Sequence, residues 1–310
     1  MKIAVVGSLN MDLVVRMPQI PKPGETLLGG VFKTFPGGKG ANQAVAAARL
    51  GAHVVMIGCV GDDTFGREMR ATLAGEEIEI THVRVQSDEA TGVALIQVDA
   101  HGQNSIAVAS GANFRLTESD VEKAMQAIGT FDALIMPLET PIETILIAAR
   151  IASRNGAKVI LNPAPAQVLE KDLLNLVDVL VPNQHEIARM TGMPVQSDAD
   201  IHRATEKLLA LGPKNLLVTL GSQGALLFEG KNNPGTAIPA FPVQAVDTTA
   251  AGDCFVGALA VGVCEGKSLI AAAGFASAAA ALSVKRAGAQ PSLPRRGDVE
   301  QFIRGRSEAL

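Results

Sequence analysis

The seven residues Asp247-Thr248-Thr249-Ala250-Ala251-Gly252-Asp253 lead straight into a run of small apolar residues, 254–264, that predicts a helix. A Gly-Asp step at such a place is most often only an N-cap. Here, however, the small residues ahead of the carboxylate leave their amides clear of side chains at the positive end of a helix, where several N–H groups can face one anion. Phosphoryl transfer needs such a pocket, because its transition state spreads charge over the equatorial phosphate oxygens. Asp253, one residue on, can accept the proton of an attacking hydroxyl, a role worth ~10²- to 10⁴-fold in rate. The expected chemistry is transfer of a phosphoryl group to an alcohol, with Ala250, Ala251 and Gly252 around the charge and Asp253 as base.

Four other segments carry polar chemistry. Gly37-Gly38-Lys39-Gly40-Ala41-Asn42 opens a helix expected to run to Leu50. It is not a P-loop, since Lys33 stands where that motif starts with glycine and Gly40 follows the lysine where Ser or Thr is required. A plain glycine turn and a polyol or phosphate site both fit the glycines; Lys39 and Asn42 favour the second. Asn183-Gln184-His185-Glu186 follows an apolar run at the carboxyl end of a strand, where open α/β sheets bind ligands. Asn183 and Glu186 could hold a hydrated magnesium ion or phosphate oxygens, or could simply cap a helix. A metalloprotease is excluded because Arg189 takes the place of the second histidine. Thr219-Leu220-Gly221-Ser222-Gln223-Gly224 suits either a bare hairpin turn or a turn over a nucleotide. Asn10-Met11-Asp12 could offer Asn and Asp to sugar hydroxyls, while Gly7-Ser8-Leu9 does not begin a dinucleotide fingerprint, which argues against a dehydrogenase.

Positioning these groups falls to short β-branched runs at 3–6, 54–57, 133–136, 159–161, 179–181 and 216–219, which lack polar alternation as strands buried on both faces do. Amphipathic stretches such as 42–50, 144–153 and 201–211 lie between them. The alternation predicts an α/β fold, a doubly wound and mostly parallel sheet. Two segments, 11–35 and 91–108, read instead as antiparallel hairpins, the second turning at Ala100-His101-Gly102-Gln103. They predict a small β-sheet lid, formed by about 11–36 and 91–109, on a single domain spanning 1–310. A small two-sided sheet cannot bury its apolar residues alone, so the lid should meet a partner.

The 310 residues are 47% apolar and carry 31 acidic and 27 basic side chains, a net charge of -4. The charges are interspersed, so there is no basic footprint for nucleic acid or a membrane surface. Cys59, Cys254 and Cys264 form neither a zinc pattern nor a disulfide framework, and a reducing cytoplasm is expected. No signal-peptide pattern precedes the first strand, and the apolar stretch 271–282 is shorter than a spanning helix and reads as a core helix.

Taken together, the segments resemble the ribokinase branch of the PfkB carbohydrate kinase family from Lys2 to about Pro294. The Gly-Gly-Lys-Gly-Ala-Asn stretch and the Asp-Thr-x-Ala-Ala-Gly-Asp stretch are its two signatures. The resemblance implies ATP-dependent phosphorylation of ribose at its 5-hydroxyl, or of deoxyribose, another sugar or a nucleoside. It makes Asp253 the base and puts Asn10, Met11, Asp12, Gly38, Lys39, Gly40, Ala41, Asn42 and Glu139 around the sugar. Asn183, Glu186 and Thr219 through Gly224 fall on the ATP side, with Gly252 and Asp253 at the phosphates. Ser277 stands where relatives often carry His or Asn against the adenine. Potassium is implied beside Asp247, Thr249, Ser283, Arg286, Gly288 and Ser292, magnesium with the phosphates, and a homodimer clasped through the lids. A non-catalytic sensor on the same fold is the rival class, against which Gly252-Asp253 argues.

Overall fold

The computed structural model describes residues 1–307. Nine strands form one sheet, in the order Thr236–Ile238, Ala225–Glu229, Asn215–Thr219, Val179–Leu180, Lys158–Leu161, Ala133–Met136, Lys2–Val6, His53–Gly61 and Glu79–Gln86. Every neighbouring pair is parallel except the two that involve Ala225–Glu229. The six apolar runs supply the middle of this sheet, as their two-sided burial requires. Along Lys2–Val6, Ile3 and Val5 join the core on one face while Ala4 and Val6 join the core on the other.

Helices cover both faces. Lys39–Arg49, Ala251–Cys264 and Leu269–Ser283 pack on one side, and Glu118–Ile128, Ile142–Arg154 and Asp198–Leu211 on the other. The first strand has His53–Gly61 on one side and Ala133–Met136 on the other, so the chain order reverses there. Strand ends around such a reversal splay apart and leave a crevice.

The two hairpins join into a second sheet of four strands, Val31–Gly37, Asn10–Arg16, Gly92–Val98 and Asn104–Ala109. Asn10–Arg16 leaves the main sheet only three residues after Lys2–Val6, so its first residues stand at the mouth of the crevice.

The helices Lys39–Arg49 and Ala251–Cys264 run side by side with both N-termini at the crevice. Gly257 allows their approach: a Cβ there would stand 2.7 Å from Ala46 Cβ and 2.8 Å from the Gln43 carbonyl oxygen. Ala-rich surfaces on both helices make the same close packing possible.

Candidate active site

The helix Lys39–Arg49 starts at Gly38, with φ 85, and has no side-chain cap of its own. Its first turn lies on the chain leaving the first strand, and a Cβ on Gly40 would meet Gly7 C and Ser8 N at 2.6 Å. The missing cap comes from elsewhere. Glu139, just beyond the strand Ala133–Met136, accepts from the Lys39 amide at 3.0 Å with the same oxygen that binds the Ser8 hydroxyl. A carboxylate is favoured at that end of a helix.

Asp253 sits in the first turn of Ala251–Cys264, 6% exposed. Asn42 Nδ2 donates to its Oδ2 at 2.9 Å and Gln43 Nε2 to its Oδ1 at 3.0 Å. Asn42 keeps a buried carbonyl oxygen without a partner among the described residues. Gln43 was not singled out from the sequence. Positions i and i+1 of a helix normally face different ways, and only the wedge of Asp253 between them lets both amides reach one carboxylate.

Asp12 completes the cluster from the second sheet, where it packs so closely on Gly37 that a Cβ there would lie 2.4 Å from Oδ2. Burial, then the negative charges of Glu139 and Asp253, push its carboxyl up to about 7, against the opposing pull of Lys39. For Lys39, burial works to lower the pKa, but Asp253, Glu139, Glu186 and Asp12 together raise it above its ordinary value. Glu186 is itself raised, by burial first, with the Asn183 amide and Lys39 opposing. The result is a pocket of carboxylates around one ammonium, of the kind that can take several hydroxyls.

Beyond Gly252 the crevice opens into a cavity of about 480 Å³. Thr219, Gly221, Ser222 and Gly224 line one side and Ser277 another, while Leu220 and Gln223 do not reach it. Most of its wall is apolar: Val243, Ala245, Phe255, Ala280, Ala281 and Val284. Ala251 and Gly252 close the end nearest Asp253. Ala250 takes a left-handed conformation, φ 59, directly before helical residues, an arrangement whose successive amides make a concave anion-binding nest. The Ala251 amide donates to the Thr248 carbonyl at 3.2 Å, so Ala250 and Gly252 are the freer donors of the three.

Several of the expected contact residues have surroundings or partners within the chain itself. Met11 and Ala41 are fully buried in the apolar core. Alternation along Asn10–Arg16 turns Met11 away from the face that carries Asn10 and Asp12. Asn10 accepts from Asn113 Nδ2 at 2.7 Å, a partner 103 residues away. Asn183 and Glu186 form a reciprocal capping box, at 2.9 Å and 2.8 Å, so their local job is helix initiation. Asn183 nevertheless bridges to Thr219, beside the cavity.

The segment expected to hold potassium is drawn together. Asp247 Oδ1 accepts from the Thr249 amide at 3.0 Å and its hydroxyl at 2.6 Å, and Oδ2 accepts from the Gly288 amide at 3.0 Å. Despite its partial burial, these donors and Arg16, 3.8 Å away, hold the Asp247 carboxyl below its ordinary value. Ser283 and Ser292 turn their hydroxyls onto the Ala280 and Ala289 carbonyls, and the Arg286 amide donates to the Ser283 carbonyl with its side chain exposed. Among the described residues no three His, Cys, Asp or Glu side chains cluster as metal ligands.

The model of the pfkB family of carbohydrate kinases matches residues 1–296. A ribokinase of Haemophilus influenzae is 44% identical over 301 residues, 97% of this chain and 98% of that protein. A deoxyribokinase of Salmonella typhi is 39% identical over 303 residues, with 97% of each chain covered. The structure of Arabidopsis thaliana ribokinase complexed with ribose and ATP is similar at a TM-score of 0.88 and 35% identity, over 97% of this chain and 98% of that one.

Proposed function

The chain belongs to the pfkB family of carbohydrate kinases, and from that premise we propose that it transfers the γ-phosphoryl group of ATP to the 5-hydroxyl of D-ribose, giving ribose 5-phosphate and ADP. The observation that carries the reading is the Asp253 carboxylate, held by two amides where a polar pocket meets a nucleotide-sized cavity. Ribose is preferred to deoxyribose because the ribokinase relative is the more identical over the same span.

Sugar hydroxyls in the pocket meet Asp12, Lys39, Asn42 and Glu139, and the unpartnered carbonyl oxygen of Asn42 is a ready acceptor for one of them. The 5-hydroxyl faces Asp253. As its oxygen bonds to the γ-phosphorus, its proton passes to Asp253 and the bond to the β-phosphate oxygen breaks, ADP leaving with that electron pair. Amides of Ala250 and Gly252, at a helix N-terminus, face the charge that develops on the phosphoryl oxygens. The nucleotide base and ribose lie in the cavity lined by Thr219, Gly221, Ser222, Gly224 and Ser277.

Magnesium would sit with the phosphates, which supply most of its ligands, near Asn183 and Glu186. Potassium would lie beside Asp247, with the carbonyls of Thr249 and Ser283 and the loop of Arg286, Gly288 and Ser292. Their hard oxygen donors suit an alkali cation, which would stiffen the amides next to it.

The second sheet acts in this reading as a lid that excludes water. Val31, Phe32, Leu95, Ile106 and Val108 on it are each more than half exposed. Such a surface suits a homodimer clasped lid to lid. Light scattering should then give twice the 32.1 kDa of one chain. None of the described helices is long and apolar enough to cross a membrane, and three unpaired cysteines suit a reducing cytoplasm.

The deciding experiment is sugar-dependent ADP formation with ribose, deoxyribose, fructose and ribonucleosides, with potassium and with choline in its place. Ribose should give the highest kcat/KM, and choline should depress turnover markedly. A different best sugar replaces the substrate assignment, and equal rates in choline remove the cation assignment.

A further inference from the structure

Asn162 lies just beyond the strand Lys158–Leu161 and belongs to none of the segments so far given a role. Its Nδ2 donates to the backbone carbonyl of Val181 at 3.0 Å. Its Oδ1 accepts from Gln43 Nε2 at 3.1 Å, and that same nitrogen donates to Asp253 Oδ1 at 3.0 Å. All three side chains are nine-tenths or more buried, and Gln43 is completely so.

This chain has a fixed polarity. A backbone carbonyl can only accept, so Asn162 must present its nitrogen to Val181 and therefore its oxygen to Gln43. Gln43 must in turn present its nitrogen, with one hydrogen for Asn162 and one for Asp253. If Gln43 turned over, oxygen would face oxygen at both contacts. We infer that Gln43 and Asn162 are positioning residues for phosphoryl transfer: anchored on the accepting carbonyl of Val181, they fix the orientation of the Gln43 amide and so keep a hydrogen-bond donor on Asp253 Oδ1, leaving Asn42 to hold Oδ2.

The buried carbonyl oxygen of Gln43, which has no partner among the described residues, supports this assignment. Leaving a buried oxygen unpaired is costly, and the amide nevertheless keeps this orientation because the alternative would abandon both Asn162 and the carboxylate. The role differs from that of Asn42, which borders the sugar pocket and is expected to touch substrate. Gln43 lies behind the carboxylate, in the core, and acts only through it.

The proposal rests on Asp253 being the base, and the test separates the two. Gln43→Met keeps the length of the side chain and removes the donor; Asn162→Ala removes the group that fixes the donor's sense; Asp253→Asn is the reference. For each variant, kcat and the two KM values are measured beside the melting temperature. Each of the first two should lower kcat by about 10- to 100-fold, the loss expected for one hydrogen bond to a charged group, with both KM values within about twofold of wild type. The Gln43→Met/Asn162→Ala double variant should be no slower than the slower single variant, because both break one chain. Wild-type kcat in either folded single variant, or losses that multiply in the double, would overturn the relay, while an Asp253→Asn protein slowed by ~10²-fold or more leaves the base in place. Should Gln43→Met not fold, Asn162→Ala alone must show the fall in kcat. An Asp253→Asn protein with wild-type kcat would remove the base and the relay together.

Discussion

Around Asp253 the crevice presents the amide of Asn42 and the charged groups Asp12, Lys39 and Glu139, which act on one another, whereas the cavity beyond Gly252 is walled by Val243, Ala245, Ala280, Ala281 and Val284. A site of the first kind discriminates by leaving its buried polar groups unpaired when a ligand lacks a hydroxyl, and that penalty is steep. The second kind recognises shape and apolar surface and discriminates weakly. On the proposed function, substrate choice would therefore belong to the polar end and nucleotide affinity to the other, with the phosphates crossing between them at the Ala250 turn.

The contrast breaks most severely at Asp253. Asp253→Asn should cut kcat by ~10²- to 10⁴-fold while sugar and ATP still bind, as titration calorimetry can show. On the nucleotide side, Ala281→Phe fills part of the cavity from a half-exposed helix position. The KM for ATP should rise about tenfold or more, equivalent to ~1.4 kcal/mol, with the KM for ribose unchanged; a change in both would mean that the two ends are not separable.

A pH series sharpens the comparison. With Asp12 at about 7, the carboxylate available to accept from sugar hydroxyls falls roughly fourfold between pH 8 and 6.5, and kcat/KM for ribose should fall with it while ATP binding does not. Asp12→Asn should flatten that dependence. Stability has the opposite sign. Folding moves Asp12 from its ordinary 3.8 to about 7, so the folded state keeps a proton that the unfolded chain releases. Stability is lost as pH rises between those values and is level above them. Asp12→Asn should accordingly raise the melting temperature more at pH 8 than at pH 5. The smallest effect is expected at the periphery: the 3.8 Å pair between Arg16 and Asp247 is half-exposed on the arginine side, and Arg16→Ala should cost less than about 1 kcal/mol, and less still in high salt.

Much of this was legible in the sequence because it depends on local pattern. Runs buried on both faces, such as 3–6 and 133–136, name central strands without help from tertiary context, and Ala100 to Gln103 names a hairpin turn. Edge elements were harder: Glu79–Gln86 has one buried residue, Val83, among partly buried and exposed ones, and Thr236–Ile238 is too short to register. The strand expected at 179–181 stops at Leu180, two residues before Pro182. In the site, the two signature stretches announced Asn42 and Asp253. Gln43 and Asn162 gave no signal, because their use depends on a carbonyl at Val181 that only the folded sheet brings near. Glu139 came only through the family resemblance, and its cap on the Lys39 amide joins positions 100 residues apart.

Gly257 does not line the cavity, yet it sets how far the helix bearing Asp253 stands from the helix bearing Asn42 and Gln43. A single methyl group there would act as a shim, prising the two helices apart one turn below the reacting atoms. Misplacement of about 1 Å can cost on the order of 10²-fold in rate. With Asp253 as the proposed base, the attack distance would be set by a hydrogen atom in the core, and Gly257→Ala should lose activity with every residue of the pocket intact.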